Sequence, residues 1–167
     1  FKALLFLSAG CVIHAMADEQ DMRKLGGLIK AIPYTYSLML IGSLSLMGFP
    51  FLTGFYSKDA ILELAYASYT CHGTFAHWLG TISAGFTAFY SIRLLMLTFI
   101  SPANGPQSTL EKAHESPWQM SLPLLILTIG AIFAGYLGRD MIIGAGSDFF
   151  KHGIFVLPEH LNVLEAE

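Results

Sequence analysis

Charge is what this sequence has least of. Only 13% of its 167 residues are charged, against 54% hydrophobic, and the mean hydropathy is +0.57. A water-soluble domain carries about 25% charged residues, because its surface has to be wetted. Half that complement leaves too little polar surface for a soluble fold, so lipid takes the place of water around much of the chain. The net charge of −3 is small and scattered, which argues against nucleic acid as a partner and against a polybasic membrane-surface patch. Cysteine is scarce as well. Cys11 and Cys71 make neither a disulfide framework nor a metal knuckle, and both read as packing residues. Glycine-rich phosphate loops, Cys-x-x-Cys pairs and haem-type histidine pairs are missing, and His72, His77, His114, His152 and His160 lack metal-ligand spacing. No cofactor is expected in this chain. An initiator methionine and a secretory leader are also lacking. Phe1 already sits in an apolar run, so position 1 reads as a cut end: a fragment, a processed chain, or one piece of a split gene.

What is present is four apolar segments. They lie at about 1–16, 33–69, 75–100 and 118–137, and imply an all-α polytopic membrane protein with about four transmembrane helices. Residues 1–137 form the transmembrane domain, and 138–167 an interfacial or extramembrane tail. The second segment starts well, with Pro33 placed for a first helical turn. It then breaks at Gly48-Phe49-Pro50-Phe51-Leu52-Thr53-Gly54, where Pro50 removes a donor and Gly54 loosens the backbone. A helical pattern resumes at Ser57. Irregular backbone at membrane depth is tolerated only where protein or a water-filled cavity satisfies its polar groups, so the break is a functional signature. Ala84 and Ala88, and Gly130, Ala134 and Gly138, follow the small-residue spacing that lets helix backbones approach. The connectors at 18–32 and 101–117 hold Arg23, Lys24, Lys30 and Lys112, while the tail holds Arg139 and Lys151. The positive-inside rule sets the first two on the matrix or cytoplasmic side.

Ionisable residues inside apolar segments are costly to hold there and mark function. Lys58 leads. Set at the opening turn of the resumed helix behind Ser57 as N-cap, it faces the positive end of the helix dipole and a low dielectric. Both disfavour its ammonium, and the adjacent Asp59 opposes them, which makes Lys58 a candidate proton switch. Glu63, at i+4 from Asp59, either joins a hydrated acidic file or points to solvent. Lys2 reads from its surroundings as an interface anchor. His14 is a weaker candidate relay, and Arg93 is too permanently charged to shuttle protons.

Three stretches then become recognisable: Phe1-Lys2-Ala3-Leu4-Leu5-Phe6, Asp18-Glu19-Gln20-Asp21-Met22-Arg23-Lys24, and Gly48-Phe49-Pro50 through Ser57-Lys58-Asp59. Together they resemble the chain 5 family of NADH–ubiquinone oxidoreductase, the antiporter-like membrane subunits of mitochondrial respiratory complex I. The resemblance implies an inverted-repeat fold with a broken helix, proton translocation coupled to electron transfer, and the multi-pass topology of the mitochondrial inner membrane. It implies a central-axis proton-carrying role for Lys2 and an exit-side role for Lys58, with Asp59 beside it. NADH, FMN, iron–sulfur clusters and ubiquinone would belong to other subunits of the complex. Partners would be the other membrane-arm subunits, complementary fragments of the same subunit, and the lipid bilayer. The chain departs from the family in length, lacking the first repeat and the lateral helix. Two other readings stay open: a subunit of a multisubunit sodium/proton antiporter, and a purely structural membrane-arm piece.

Overall fold

A computed structural model describes residues 1–67, 71–142 and Phe149. Among these the fold is all-α: α1 (Lys2–Ala15), a short 3-10 turn (Met22–Lys24), α2 (Pro33–Met47), α3 (Thr53–Ala67), α4 (Cys71–Leu95), α5 (Gln107–Lys112) and α6 (Trp118–Ile142). A π-turn over Met96–Ile100 prolongs α4. The tail expected at 138–167 falls mostly outside the described residues, but its first residues, as far as Ile142, continue α6.

Among the described residues two helices are long and apolar enough to cross a membrane, Cys71–Ile100 with 30 residues and Trp118–Arg139 with 22. α1 is apolar but has only 14 residues, and α2 and α3 have 15 each, short of the ~20 that one span needs. Length alone therefore marks two spans. The chain is nonetheless an integral membrane protein by its surface: Phe75, Trp78, Ile82, Phe86 and Phe89 form an outward apolar stripe at helical spacing along α4. α4 begins at Cys71, ahead of the expected start near 75, so His72 as well as His77 lies on this helix. The His77 ring nitrogen Nδ1 meets the Leu62 carbonyl at 2.9 Å and ties α4 to α3.

The connectors at 18–32 and 101–117 meet at one end of the bundle. The Ile29 N–H donates to the Phe99 carbonyl (3.3 Å) and the Asn104 N–H to that of Leu25 (3.4 Å). Gly26, at φ +131°, lies against the Pro102 carbonyl, where any Cβ would overlap the oxygen. Beneath this junction Val12, Met16, Leu25, Leu28, Ile32, Met39, Leu95 and Phe99 form one buried cluster. A second cluster, Leu4, Cys11, Leu38, Leu124 and Ala131, joins α1, α2 and α6. Cys11 is buried in it, whereas Cys71 is exposed at the start of α4.

The close helix approach on α6 differs from the one expected. A Cβ at Gly135 would meet Thr53 and Tyr56 of α3, whereas at Gly130, whose carbonyl Thr53 also reaches, it would meet nothing within 4 Å, and Ala131, one turn before Gly135, is buried. The small-residue face is thus Ala131–Gly135, one position round from the Gly130–Ala134–Gly138 stripe. Ala134 points outward.

Candidate functional site

The site is built around the break between α2 and α3. Gly48 ends α2 at φ +85°, the left-handed conformation that lacks a steric penalty only in glycine. Its N–H donates to the Ser45 carbonyl (3.3 Å) and the Phe49 N–H to the Leu44 carbonyl (3.0 Å), the paired bonds that close a helix C-terminus. Pro50 and Phe51 make the turn, and the Leu52 N–H closes it on the Phe49 carbonyl at 3.2 Å.

α3 then starts at Thr53, four residues before the expected Ser57. Ser57 is not an N-cap. Its hydroxyl donates back to the Gly54 carbonyl (3.3 Å) within the helix. The early start follows from tertiary fit. Gly54 is buried against Ser45, its N–H donating to the Ser45 hydroxyl at 3.3 Å, and a Cβ there would overlap the Ser45 carbonyl. The Thr53 hydroxyl donates to the Gly130 carbonyl (3.0 Å) and accepts from the Gly135 N–H (3.0 Å), joining α3 to α6.

Lys58 consequently lies in the second turn of α3. Helical side chains point back toward the N-terminus of their helix. Here that direction carries Lys58 past Gly48, whose missing side chain leaves room, and its Nζ donates to the Met47 carbonyl at 3.1 Å. The ammonium therefore rests on the negative end of α2 instead of facing the positive end of α3. The helix end that Lys58 meets is thus the C-terminal one, the reverse of the expectation from sequence. Nor does Asp59 pair with it. Among the described residues the ion pairs are Asp21–Arg23 and Glu19–Lys24.

Lys58 and Lys2 line one cavity of about 300 Å3, with Phe1, Leu46, Gly54, Ser57, Thr87 and Tyr90. Two amines and three hydroxyls share it, and no carboxylate is among its described lining residues. Of the remaining candidates, Asp59, next to Lys58 in the chain, is half-buried and not among the lining residues, and Glu63 is exposed further along α3. His14 is exposed in the last turn of α1, roughly 18 Å along the helix from Lys2 at 1.5 Å per residue. Arg93 is exposed near the end of α4. The structure thus gathers Lys2 and Lys58 and leaves Glu63, His14 and Arg93 outside.

Two further groups were not legible in the sequence. The Met47 carbonyl carries no sequence signal at all. Glu115, half-buried between α5 and α6, accepts from the Tyr34 N–H (2.6 Å) and the Thr35 hydroxyl (2.9 Å) in the first turn of α2. The Tyr34 hydroxyl donates to the Ser121 carbonyl at 3.2 Å, tying the same turn to α6.

The charged connector neutralises itself. Asp21 accepts from Arg23 Nη2 at 2.7 Å and Nε at 3.0 Å, and this fork holds its carboxyl down at about 2. Lys24 donates to Glu19 (3.0 Å) and keeps that carboxyl below its ordinary value.

A family model described as NADH:quinone oxidoreductase/Mrp antiporter, transmembrane, matches residues 1–87. Over its full length the chain is 59% identical to NADH-ubiquinone oxidoreductase chain 5 of Marchantia polymorpha and 58% identical to that of Arabidopsis thaliana, covering 25% of each. The Chondrus crispus protein of the same name is 59% identical over 172 residues, all of this chain and 26% of that relative. The chain thus spans about a quarter of the length of the curated relatives it matches.

Proposed function

The chain belongs to the NADH:quinone oxidoreductase/Mrp antiporter transmembrane family, and on that premise we propose that it carries part of the proton path in a membrane-arm subunit of respiratory complex I. The single observation that carries this reading is the cavity in which Lys2 and Lys58 meet, next to a broken helix. It is roomy enough for several waters at about 30 Å3 each. Lys2 takes a proton from the central axis and passes it through this volume, past Ser57, Thr87 and Tyr90, to Lys58. Two ammonium groups facing one cavity repel each other, so a proton arriving at one favours release from the other. The Met47 carbonyl holds Lys58 in its receiving position. Asp59 adjoins the exit. His14 and Glu63, outside the cavity, serve at most as later relays.

Proton movement here is coupled to electron transfer from NADH to ubiquinone, with FMN, iron–sulfur clusters and quinone held by other subunits. The subunit lies in the mitochondrial inner membrane, with the 18–32 and 101–117 connectors on the matrix side and α1, the α2–α3 pair, α4 and α6 crossing. The rest of the subunit, on this or a further polypeptide, and the neighbouring membrane-arm subunits complete the channel.

The test is Lys58→Ala in the intact complex. Turnover of NADH against ubiquinone and proton uptake into vesicles should fall together, normalised to assembled complex. A positioned proton-transfer group contributes about 10²-fold or more, and a loss of that order is expected. Assembled variant complex that pumps at the normal rate removes Lys58 from the path and leaves a purely structural piece.

A further inference from the structure

α2 is capped at both ends by charged side chains from other parts of the chain. Glu115 lies on its first turn, through the Tyr34 N–H and the Thr35 hydroxyl, and Lys58 lies on its last carbonyl. The signs match the helix dipole, anion at the N-terminus and cation at the C-terminus. The two caps differ in what the proposed path asks of them. Lys58 gives up its charge whenever it releases a proton, and the C-terminal cap then weakens. Glu115 sits some 22 Å away, taking 15 residues at 1.5 Å each, and its charge takes no part in the transfer.

From this arrangement we infer that Glu115 is a positioning residue for Lys58. It fixes α2 along its axis, so that the Met47 carbonyl stays in place while the charge on Lys58 comes and goes. The inference rests on the proton-path reading given above. A helix is stiff along its axis, so a shift of the first turn moves the last carbonyl by the same distance. The anchor itself is held firmly. Leu110 and Ala113, just before Glu115, pack on the buried cluster of Leu28, Ile32 and Phe99. Thr35 is buried, and Tyr34 is bonded to the start of α6. α6 is also the helix that holds Thr53 at the far side of the break. Glu115, α2 and α6 therefore form a frame with the break at its other end.

The experiment uses the assembled complex with Glu115→Ala, Glu115→Gln, Thr35→Val and Lys58→Ala, alone and combined. Misplacing a reacting group by about 1 Å costs up to about 10²-fold. Glu115→Ala should therefore lower pumping by about tenfold. Glu115→Gln, which keeps an acceptor for the Tyr34 N–H, should recover most of that loss. Adding Glu115→Ala to Lys58→Ala should cost nothing further, because the residue being positioned is gone. Amide exchange in Glu115→Ala should rise over 48–58 as well as over 33–37. Thr35→Val removes a single hydrogen bond and reads the same effect more weakly if Glu115→Ala fails to assemble. Normal pumping in Glu115→Ala, or a full additional loss on the Lys58→Ala background, overturns the inference while leaving the proton path standing. Exchange that rises only over 33–37 overturns it too. Normal pumping in Lys58→Ala defeats the path, and the inference with it.

Discussion

The Nζ of Lys58 reaches back eleven residues to the Met47 carbonyl, 3.1 Å away, and so closes the broken helix on itself. One lysine thus acts as a structural cap and as the proposed proton carrier. The two roles separate experimentally. Lys58→Arg keeps a cationic donor for Met47 but cannot release a proton on demand. Assembly and thermal stability should match the unsubstituted complex, while pumping should fall nearly as far as in Lys58→Ala. Asp59→Asn should be far milder, since Asp59 makes no ion pair with Lys58. Parallel vesicle assays decide, and normal pumping in Lys58→Arg would reduce Lys58 to a cap.

Lys2 opens α1 and is exposed toward the cavity it shares with Lys58. An interface anchor needs only a positive charge. Lys2→Arg should therefore preserve assembly yet strongly lower proton uptake, and Lys2→Ala should do no worse. Unimpaired uptake in Lys2→Arg would return Lys2 to the role of anchor.

Gly54 admits no side chain, because a Cβ would overlap the Ser45 carbonyl. Gly54→Ala has to push α3 off α2. Overpacking of this kind costs about 1–3 kcal/mol. The yield and melting temperature of the complex should drop, and the Lys58–Met47 contact should lengthen. Gly85→Ala makes the control, since a Cβ at Gly85 meets nothing within 4 Å. Equal effects from both would refute the prediction.

Asp21 supplies a pH signature outside the membrane. Its carboxyl is depressed from 3.8 to about 2, chiefly by the Arg23 hydrogen bonds. A depressed acid stabilises the fold above its unfolded value, and the contribution fades as pH falls through the folded one. The clasp should thus be complete at neutral pH and open only between about 4 and 2. In Arg23→Ala the Asp21 carboxyl should titrate near its ordinary value, which carboxyl-selective infrared or carbon NMR would read. An unchanged titration would rule out Arg23 as the cause.

Much of this architecture was open to a reader of the sequence. The apolar runs gave α4 and α6, Pro33 gave the start of α2, and Gly48-Phe49-Pro50 gave the break, because each is a local signal. The start of α3 was not open in that way. Ser57 has the chemistry of a cap, but the earlier start at Thr53 is set by Gly54 against Ser45 and Thr53 against α6, contacts between distant segments. The small-residue stripe on α6 had the right spacing on the wrong face, because neighbouring positions there are also small. In the candidate site, Lys58 stood out as a charge at a broken helix, and Lys2, an interface anchor by its surroundings, stood out through the motif that carries the family resemblance. Glu115 did not, since its partners are 81 and 80 residues away and its own neighbourhood looks like an ordinary polar loop.

The unequal setting of the two cysteines makes the chain its own topological reporter. Cys11 is sealed in the second core cluster, while Cys71 stands exposed at the end of α4 remote from the paired connectors. A bulky thiol reagent that cannot cross lipid therefore finds one address without any engineered substitution. Its accessibility from one face of the vesicle or the other registers which way the bundle is threaded.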